Sequence, residues 1–332
     1  MTIDVHAHIA SVDALAAMRR IHEPVIPTVE RQGEMVYFRF PNGVVNGPVP
    51  RGVIDVEARL ADMARTGVDH QVVSIRPQLF TYDLAGDVAS ALASLANEEA
   101  VATASANPDT FSVLISLPLQ SAEASVAEVE RWAPHRLVRG VLVDSNVAGR
   151  SYAEPHFGPV WAALEAADLP VLVHPYQADV VGMDRLQEHY LFNLIGNPAD
   201  TTIAIGNVVF GGLLDRYPNL RWGFVHGGGL APYLVGRWDH GWSKRAVTRE
   251  QIPDALPSAY LSRLWFDCLV HDPRPLRYLA ELVGWDRIML GTDYPFDMGL
   301  DDPIEFVDRV GLSPAARDGV LSTNVAGFLR AL

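Results

Sequence analysis

Five side chains able to bind a divalent cation or move a proton each fall at the end of a short apolar run. His6 and His8 stand in IDVHAHI, His174 in VLVHPY, His226 in GFVHGGG and Asp293 in MLGTDYPF. Alternate residues of an extended strand share a face, so His6 and His8 project together and can grip one ion. A histidine pair in one strand is more often accidental than a metal site. Five such groups at the ends of four separate runs are not accidental. Three imidazoles with one carboxylate suit zinc first, and also manganese, iron or cobalt. Such an ion lowers the pKa of a bound water toward about 7, where a neighbouring imidazole can take or return the proton.

This convergence demands a scaffold that gathers strand ends. Eight apolar runs rich in β-branched residues recur: Ile3–His8, Gln71–Arg76, Phe111–Leu119, Val138–Asn146, Leu169–Tyr176, Arg221–Gly227, Leu264–Val270 and Arg287–Asp293. Between most of them lie stretches with helical periodicity. These are Val56–Thr66, Asp87–Ser105, Ala122–Trp132, Phe157–Ala167, Ala204–Tyr217, Leu230–Trp242 and Pro275–Val283, with Ser313–Leu332 closing the chain as one helix or two. Strand–helix alternation repeated eight times predicts an α/β fold, a (β/α)8 TIM barrel, whose strands are buried on both faces. A doubly wound open sheet would place a glycine-rich phosphate loop in the first βα turn, and none is present.

Two insertions follow strands and are therefore expected on the C-terminal face, where barrel active sites sit. One spans Ala10–Arg51 and contains a predicted strand and turn at Met35–Gly43. The other, Gln177–Asp200, carries Tyr190 and Phe192. No repeat or linker interrupts the chain, so residues 1–332 are expected to form one domain.

Forty acidic against 26 basic residues leave a net charge of −14 with no basic run. That argues against nucleic acid and against an anionic membrane surface as partners. No segment approaches the length of a membrane span, and Met1–His8 lacks the basic end and apolar run of a signal peptide. Cys268, the single cysteine, cannot form an internal disulfide. A cytoplasmic protein acting on a small molecule is expected. The other histidines (His22, His70, His135, His156, His189, His240 and His271) are read as surface or structural residues of helices and loops.

The ligand order itself carries a resemblance. HxH on the first strand, histidines closing the fifth and sixth and aspartate closing the eighth resemble the amidohydrolase superfamily. Within it the sequence is similar to the amidohydrolase-related branch of aminocarboxymuconate semialdehyde decarboxylase type. HGGGLAPYLVGRWDHGW (His226–Trp242), DRIMLGTDYPFDMG (Asp286–Gly299), VLVHP and NPDTFSVLISLPLQ carry that similarity. It implies that His6, His8, His174 and Asp293 bind the metal and that His226 is the general acid/base, with Asp293 beside it in the catalytic group. It implies that Arg51, Arg237 and Arg245 hold substrate carboxylates, that Phe296 shapes the pocket, and that Arg237 reaches in from a neighbouring subunit, hence a homodimer. On the residues alone, Arg237 and Arg245 could equally pair with surface acids of their helix.

Binuclear superfamily members carry a carboxylated lysine at the end of the fourth strand. Here that strand reads RGVLVDSNVAG, and the only lysine is Lys244. One divalent metal per chain is therefore expected. The first-strand HxH, rather than the glutamate-x-histidine of several aromatic-acid decarboxylases, points to the semialdehyde decarboxylase pattern and to some hydrolases and hydratases. Two departures stand out. Arg76 ends the second strand where the family has a small neutral residue, and could hold a second anionic group or pair with Asp144 or Asp267. Tyr176 stands in place of a tryptophan. The resemblance implies a non-oxidative decarboxylase, a carboxy-lyase, of a small unsaturated or aromatic carboxylic acid. A hydrolase or hydratase of a lactone, cyclic amide or enol acid is the alternative. A non-catalytic metal-binding barrel would be expected to lack at least one of these groups.

Overall fold

Runs that are apolar on both faces become strands only where both faces are covered, and a ring of helices around a closed sheet does this. The computed structural model describes residues 1–176 and 180–330. Its strands are β1 (Ile3–Ile9), β2 (Thr28–Gln32), β3 (Met35–Arg39), β4 (Val45–Pro50), β5 (His70–Ile75), β6 (Phe111–Ser116), β7 (Val138–Asp144), β8 (Val171–His174), β9 (Trp222–Phe224), β10 (Trp265–Asp267) and β11 (Ile288–Met289). Eight of them form one sheet in the order β1-β5-β6-β7-β8-β9-β10-β11, and every neighbouring pair is parallel. Backbone hydrogen bonds from Val5 N to Leu290 O (2.9 Å), Asp293 N to His6 O (2.8 Å) and His8 N to Tyr294 O (2.7 Å) join the last strand to the first. The chain is thus a (β/α)8 TIM barrel, as the alternation of runs predicts, and all eight expected strands are present.

The helices follow local rules. Val56–Thr66 begins where the Asp55 carboxylate accepts the Ala58 N–H at 3.1 Å, and ends at Gly67 in the left-handed region (φ 73°). The helix expected over Ala204–Tyr217 instead spans Asn197–Phe210, followed by a short turn of helix at Leu213–Arg216. The break falls at Gly212, whose φ of 68° stops a right-handed helix. Helices Val12–His22 and Pro303–Val310 carry no expectation from sequence. At the C-terminus two short helices, Pro314–Asp318 and Asn324–Phe328, flank a wide turn. Residues 331–332 lie outside the described residues.

The first insertion is larger in structure than expected. Around the anticipated strand β3 it adds a helix, Val12–His22, and the flanking strands β2 and β4, which complete a three-stranded antiparallel sheet. TVERQ and VNGPVP are half-exposed or exposed for most of their length, so they show no apolar run. In the second insertion Gln177–Asp179 lie outside the described residues. The remainder ends in a wide turn, Phe192–Gly196, that leads directly into the Asn197–Phe210 helix.

Between barrel and helices lies an aromatic cluster. Trp161 and Trp222 are fully buried with ring centroids 4.9 Å apart, and Tyr152 and Phe157 pack beside them. Among the described residues no helix is long and apolar enough to cross a membrane. Arg59 links the first barrel helix to the mouth: buried, it donates to Gly52 O (3.0 Å), Gln71 Oε1 (2.8 Å) and His8 O. It thereby holds the backbone that carries His8.

Candidate metal centre

His6 and His8 point inward from β1, His174 ends β8, and Asp293 follows β11 at the barrel mouth. Each imidazole spends one nitrogen on a fixed acceptor. His6 Nδ1–H donates to Asp267 Oδ2 at 2.8 Å, His8 Nδ1–H to Ile75 O at 2.9 Å, and His174 Nδ1–H to Pro175 O at 2.7 Å. That arrangement turns all three Nε2 lone pairs toward one point. Those three Nε2 atoms and Asp293 Oδ1 are buried without a hydrogen-bond partner, and all four lie within 4.8 Å of one another. Asp293 Oδ1 is 3.2 Å from His6 Nε2, 3.1 Å from His8 Nε2 and 3.8 Å from His174 Nε2. Ligands about 2.0–2.2 Å from one ion stand at such separations. Four orphaned buried donor atoms of this chemistry fit one divalent metal, because leaving them unmatched would cost desolvation energy with no return.

The electrostatics of His8, His174 and Asp293 agree. Burial pushes the imidazoles of His8 and His174 down, the neutral state a ligand needs. Burial would raise Asp293, but His6, His174 and His226 outweigh it and hold the carboxyl well below its usual range. Burial also works to lower His6, yet Asp293 and Asp267 together raise it to about 10.

Two buried acids that the sequence reading did not place in the site hold it together. Asp4, raised to about 6 by burial, accepts from Thr292 Oγ1 (2.6 Å), Thr292 N and His6 N, and so ties β1 to the segment bearing Asp293. Asp267, at the end of β10, accepts from His6 Nδ1 and also from Gly227 N at 2.9 Å. It therefore orients a ligand and the turn that carries His226. Its place as the one charged residue inside the seventh apolar run, Leu264–Val270, is the signal that could have found it. Gly291 is required by close approach: a Cβ there would meet Asp267 Cβ at 2.7 Å and His6 Cβ at 2.9 Å. Replacing Asp267 with asparagine should weaken metal binding by about 10–100-fold, measured by competition with a chromophoric chelator. Unchanged affinity would remove Asp267 from this role.

His226 stands apart from the four. Its Nε2 is 3.6 Å from Asp293 Oδ2, its side chain is 17% exposed to the mouth, and its Nδ1 has no partner. A cavity of about 620 Å³ opens above, lined by His174, His226, Asp293 and Phe296 with Tyr190 and Asn197 from the second insertion and helix. Phe296 lies 5.3 Å from the His8 ring, centroid to centroid.

The structure distributes the arginines differently from the expectation. Arg51 is ion-paired to Glu34 (3.2 Å) and Asp55 (3.1 Å). Arg237 and Arg245 are exposed on and just after the helix Ala231–Lys244. None of the three is among the residues lining the cavity. Arg76 is 2% exposed and makes neither of the expected pairs. Asp267 is engaged by His6, and among the described residues the Arg76 side chain makes one hydrogen bond, from Nη2 to Asn46 Oδ1. Strand β5 ends at Ile75, so Arg76 turns toward the inserted sheet and stacks on Phe38.

The family model described as Amidohydrolase matches residues 3–330. The chain is 34% identical to 2-amino-3-carboxymuconate-6-semialdehyde decarboxylase of Dictyostelium discoideum over 276 residues, covering 83% of this chain and 76% of that protein. Among solved structures it resembles 5-carboxyvanillate decarboxylase from Sphingomonas paucimobilis (TM-score 0.81, 22% identity, 100% of this chain and 99% of that one). It is also similar to 5-carboxyvanillate decarboxylase from Novosphingobium aromaticivorans in complex with manganese and 4-hydroxy-3-methoxy-5-nitrobenzoic acid (TM-score 0.82, 21% identity, 99% and 95%).

Proposed function

Because this chain belongs to the amidohydrolase family, matched over residues 3–330, we propose that it catalyses metal-dependent, non-oxidative decarboxylation of a small unsaturated or aromatic carboxylic acid. The observation that carries this reading is the convergence of four orphaned donor atoms beside a free imidazole in one cavity. The decarboxylase relative at 34% identity supports it.

His6, His8, His174 and Asp293 hold the ion, for which we propose zinc on the strength of three imidazoles and one carboxylate. Manganese, present in a structural neighbour, is the competing identity. Bound there, a divalent ion supplies Lewis acidity and positive charge for the oxygens of the acid. His226 faces the cavity and gives its Nε2 proton to the carbon that bears the departing carboxylate. The carbon–carbon bond breaks, its electrons form the new C–H bond, and carbon dioxide leaves. Asp293 Oδ2, 3.6 Å away, stabilises the imidazolium before transfer. Phe296, Tyr190 and Phe192 line the cavity and keep water from the reacting carbon.

Arg237 and Arg245 are exposed, and Arg237 serves the site of a second chain in a homodimer. Arg51 takes part by exchanging Glu34 and Asp55 for a substrate carboxylate. The chain works as one domain over residues 1–332, in the cytoplasm. The test is incubation of metal-loaded protein with muconate semialdehydes, hydroxybenzoates, lactones and enol acids, reading products by mass. Loss of carbon dioxide from an acid is the expected result. Gain of water with no such loss would move the reaction to hydrolysis or hydration. Metal analysis of the purified protein should return one zinc per chain.

A further inference from the structure

Among the described residues Arg76, at 2% exposure like Arg59, has no carboxylate partner, and where Arg59 donates to three oxygens Arg76 donates to one. Arg76 lies flat on Phe38, with its guanidinium carbon 3.6 Å from the ring centroid, and 5.4 Å from the centroid of Phe296 on another side. Its Nη2 donates to the Asn46 carboxamide, and among the described residues its buried Nε has no hydrogen-bond partner. Among the described residues no carboxylate pairs with it, and burial alone lowers its pKa, to about 9. A buried guanidinium matched by a single neutral oxygen is costly to maintain unless an anion completes it. Every other arginine considered for the substrate is either occupied by acids, as Arg51 is, or exposed, as Arg237 and Arg245 are.

Its position says what the anion belongs to. Asn46 and Phe296 both line the cavity above the metal ligands, and so do Pro77 and Gln78, which follow Arg76 in the chain. Phe296 touches Arg76 on one side and packs 5.3 Å from the His8 ring, centroid to centroid, on the other. The guanidinium therefore sits about one aromatic ring away from the metal ligands, behind Asn46. The Asn46 carboxamide oxygen occupies the place that a carboxylate oxygen would take.

We propose that Arg76 is the specificity residue for a second, non-reacting carboxylate of the substrate, which displaces the Asn46 carboxamide and is held by the guanidinium fork. This rests on the reading that the cavity binds the acid to be decarboxylated. The consequence is that dicarboxylic acids are preferred to monocarboxylic acids of the same length. Planar N–H pairs match a carboxylate in bidentate fashion and are stronger than a neutral contact.

The probes are trans,trans-muconate and sorbate, which share a conjugated diene and differ in that one terminal carboxylate is a methyl group in sorbate. Their affinities are measured by calorimetry on the metal-loaded protein and on Arg76→Met, Arg76→Lys and Asn46→Ala. For the unaltered protein muconate should bind about 10–100-fold tighter than sorbate. In Arg76→Met that preference should vanish with sorbate affinity unchanged, and Arg76→Lys should keep part of it. Asn46→Ala, which removes the competing acceptor but leaves the charge, should bind muconate at least as tightly as before. Equal affinity for both probes in the unaltered protein would overturn the proposal. So would a preference that survives Arg76→Met, since the second carboxylate would then be held elsewhere. Parallel loss of both probes in Arg76→Met and Asn46→Ala would show that their contact only braces the inserted sheet. Melting temperature and metal content of each variant identify any that fails to fold, and Arg76→Lys then decides alone. Binding is read without turnover, so failure here is separate from failure of the decarboxylase reading, which product masses decide.

Discussion

Replacement of His226 by asparagine should lower kcat by about 10²–10⁴-fold, the usual worth of a positioned general acid, while one metal per chain remains. Each factor of ten corresponds to about 1.4 kcal/mol of barrier, so the loss is about 3–5.5 kcal/mol. The expectation follows from geometry. His226 Nε2 faces Asp293 Oδ2 at 3.6 Å, while the four atoms that converge on one point belong to other residues. Its backbone sits in a turn whose φ of 55° is held by the Gly227 N–H bond to Asp267, so asparagine, which tolerates that region, keeps the turn. Metal analysis and steady-state rates on the same preparation check both halves. Loss of the metal would make His226 a ligand. Unchanged kcat with metal retained would place proton delivery on another group.

Stripping the metal should abolish turnover altogether and also destabilise the fold. Without an ion, three Nε2 atoms and a carboxylate oxygen stay buried without partners, and each such group costs about 1–3 kcal/mol. By mass action, free ion at about a thousand times its Kd stabilises the folded state by about 4 kcal/mol. Chelation followed by zinc or manganese titration should restore activity and raise the melting temperature in parallel at one ion per chain. His174→Ala removes one ligand and opens the cluster toward the cavity, so micromolar zinc should restore neither property. Activity that survives exhaustive chelation, with the metal shown to be absent, would refute the metal-dependent reaction. Restoration saturating at two ions per chain would refute the single-site reading drawn from the lysine-free fourth strand.

The four clustered donor residues, His6, His8, His174 and Asp293, were legible in the sequence for a physical reason. In a closed parallel barrel every strand's C-terminal end reaches the same mouth, so a histidine or aspartate closing a run is already assigned to the site. Strand period placed His6 and His8 on one face, and apolar continuity marked all eight strands. What strand ends could not disclose is which side chains meet across the mouth. Asp267 reaches both His6 and the His226 turn only because β10 lies next to β9 and is separated from β1 by β11 alone. The two outer strands of the inserted sheet escaped notice because they are largely exposed and polar, so no hydrophobic alternation announces them.

Arg76 shows the boundary most plainly. Its sequence position at the end of the second barrel strand put it near the mouth, and chemistry offered Asp144, Asp267 or a substrate anion as partners. The tertiary structure decided otherwise for the first two by laying Phe38 and Asn46 of the inserted sheet against it. Local pattern, carried by neighbours in sequence, determined the barrel, its eight strands and the set of donor side chains that gather at its mouth. Long-range packing between segments with no periodic relation decided which cation is buried and unmatched, because burial and pairing belong to the closed fold rather than to any one strand.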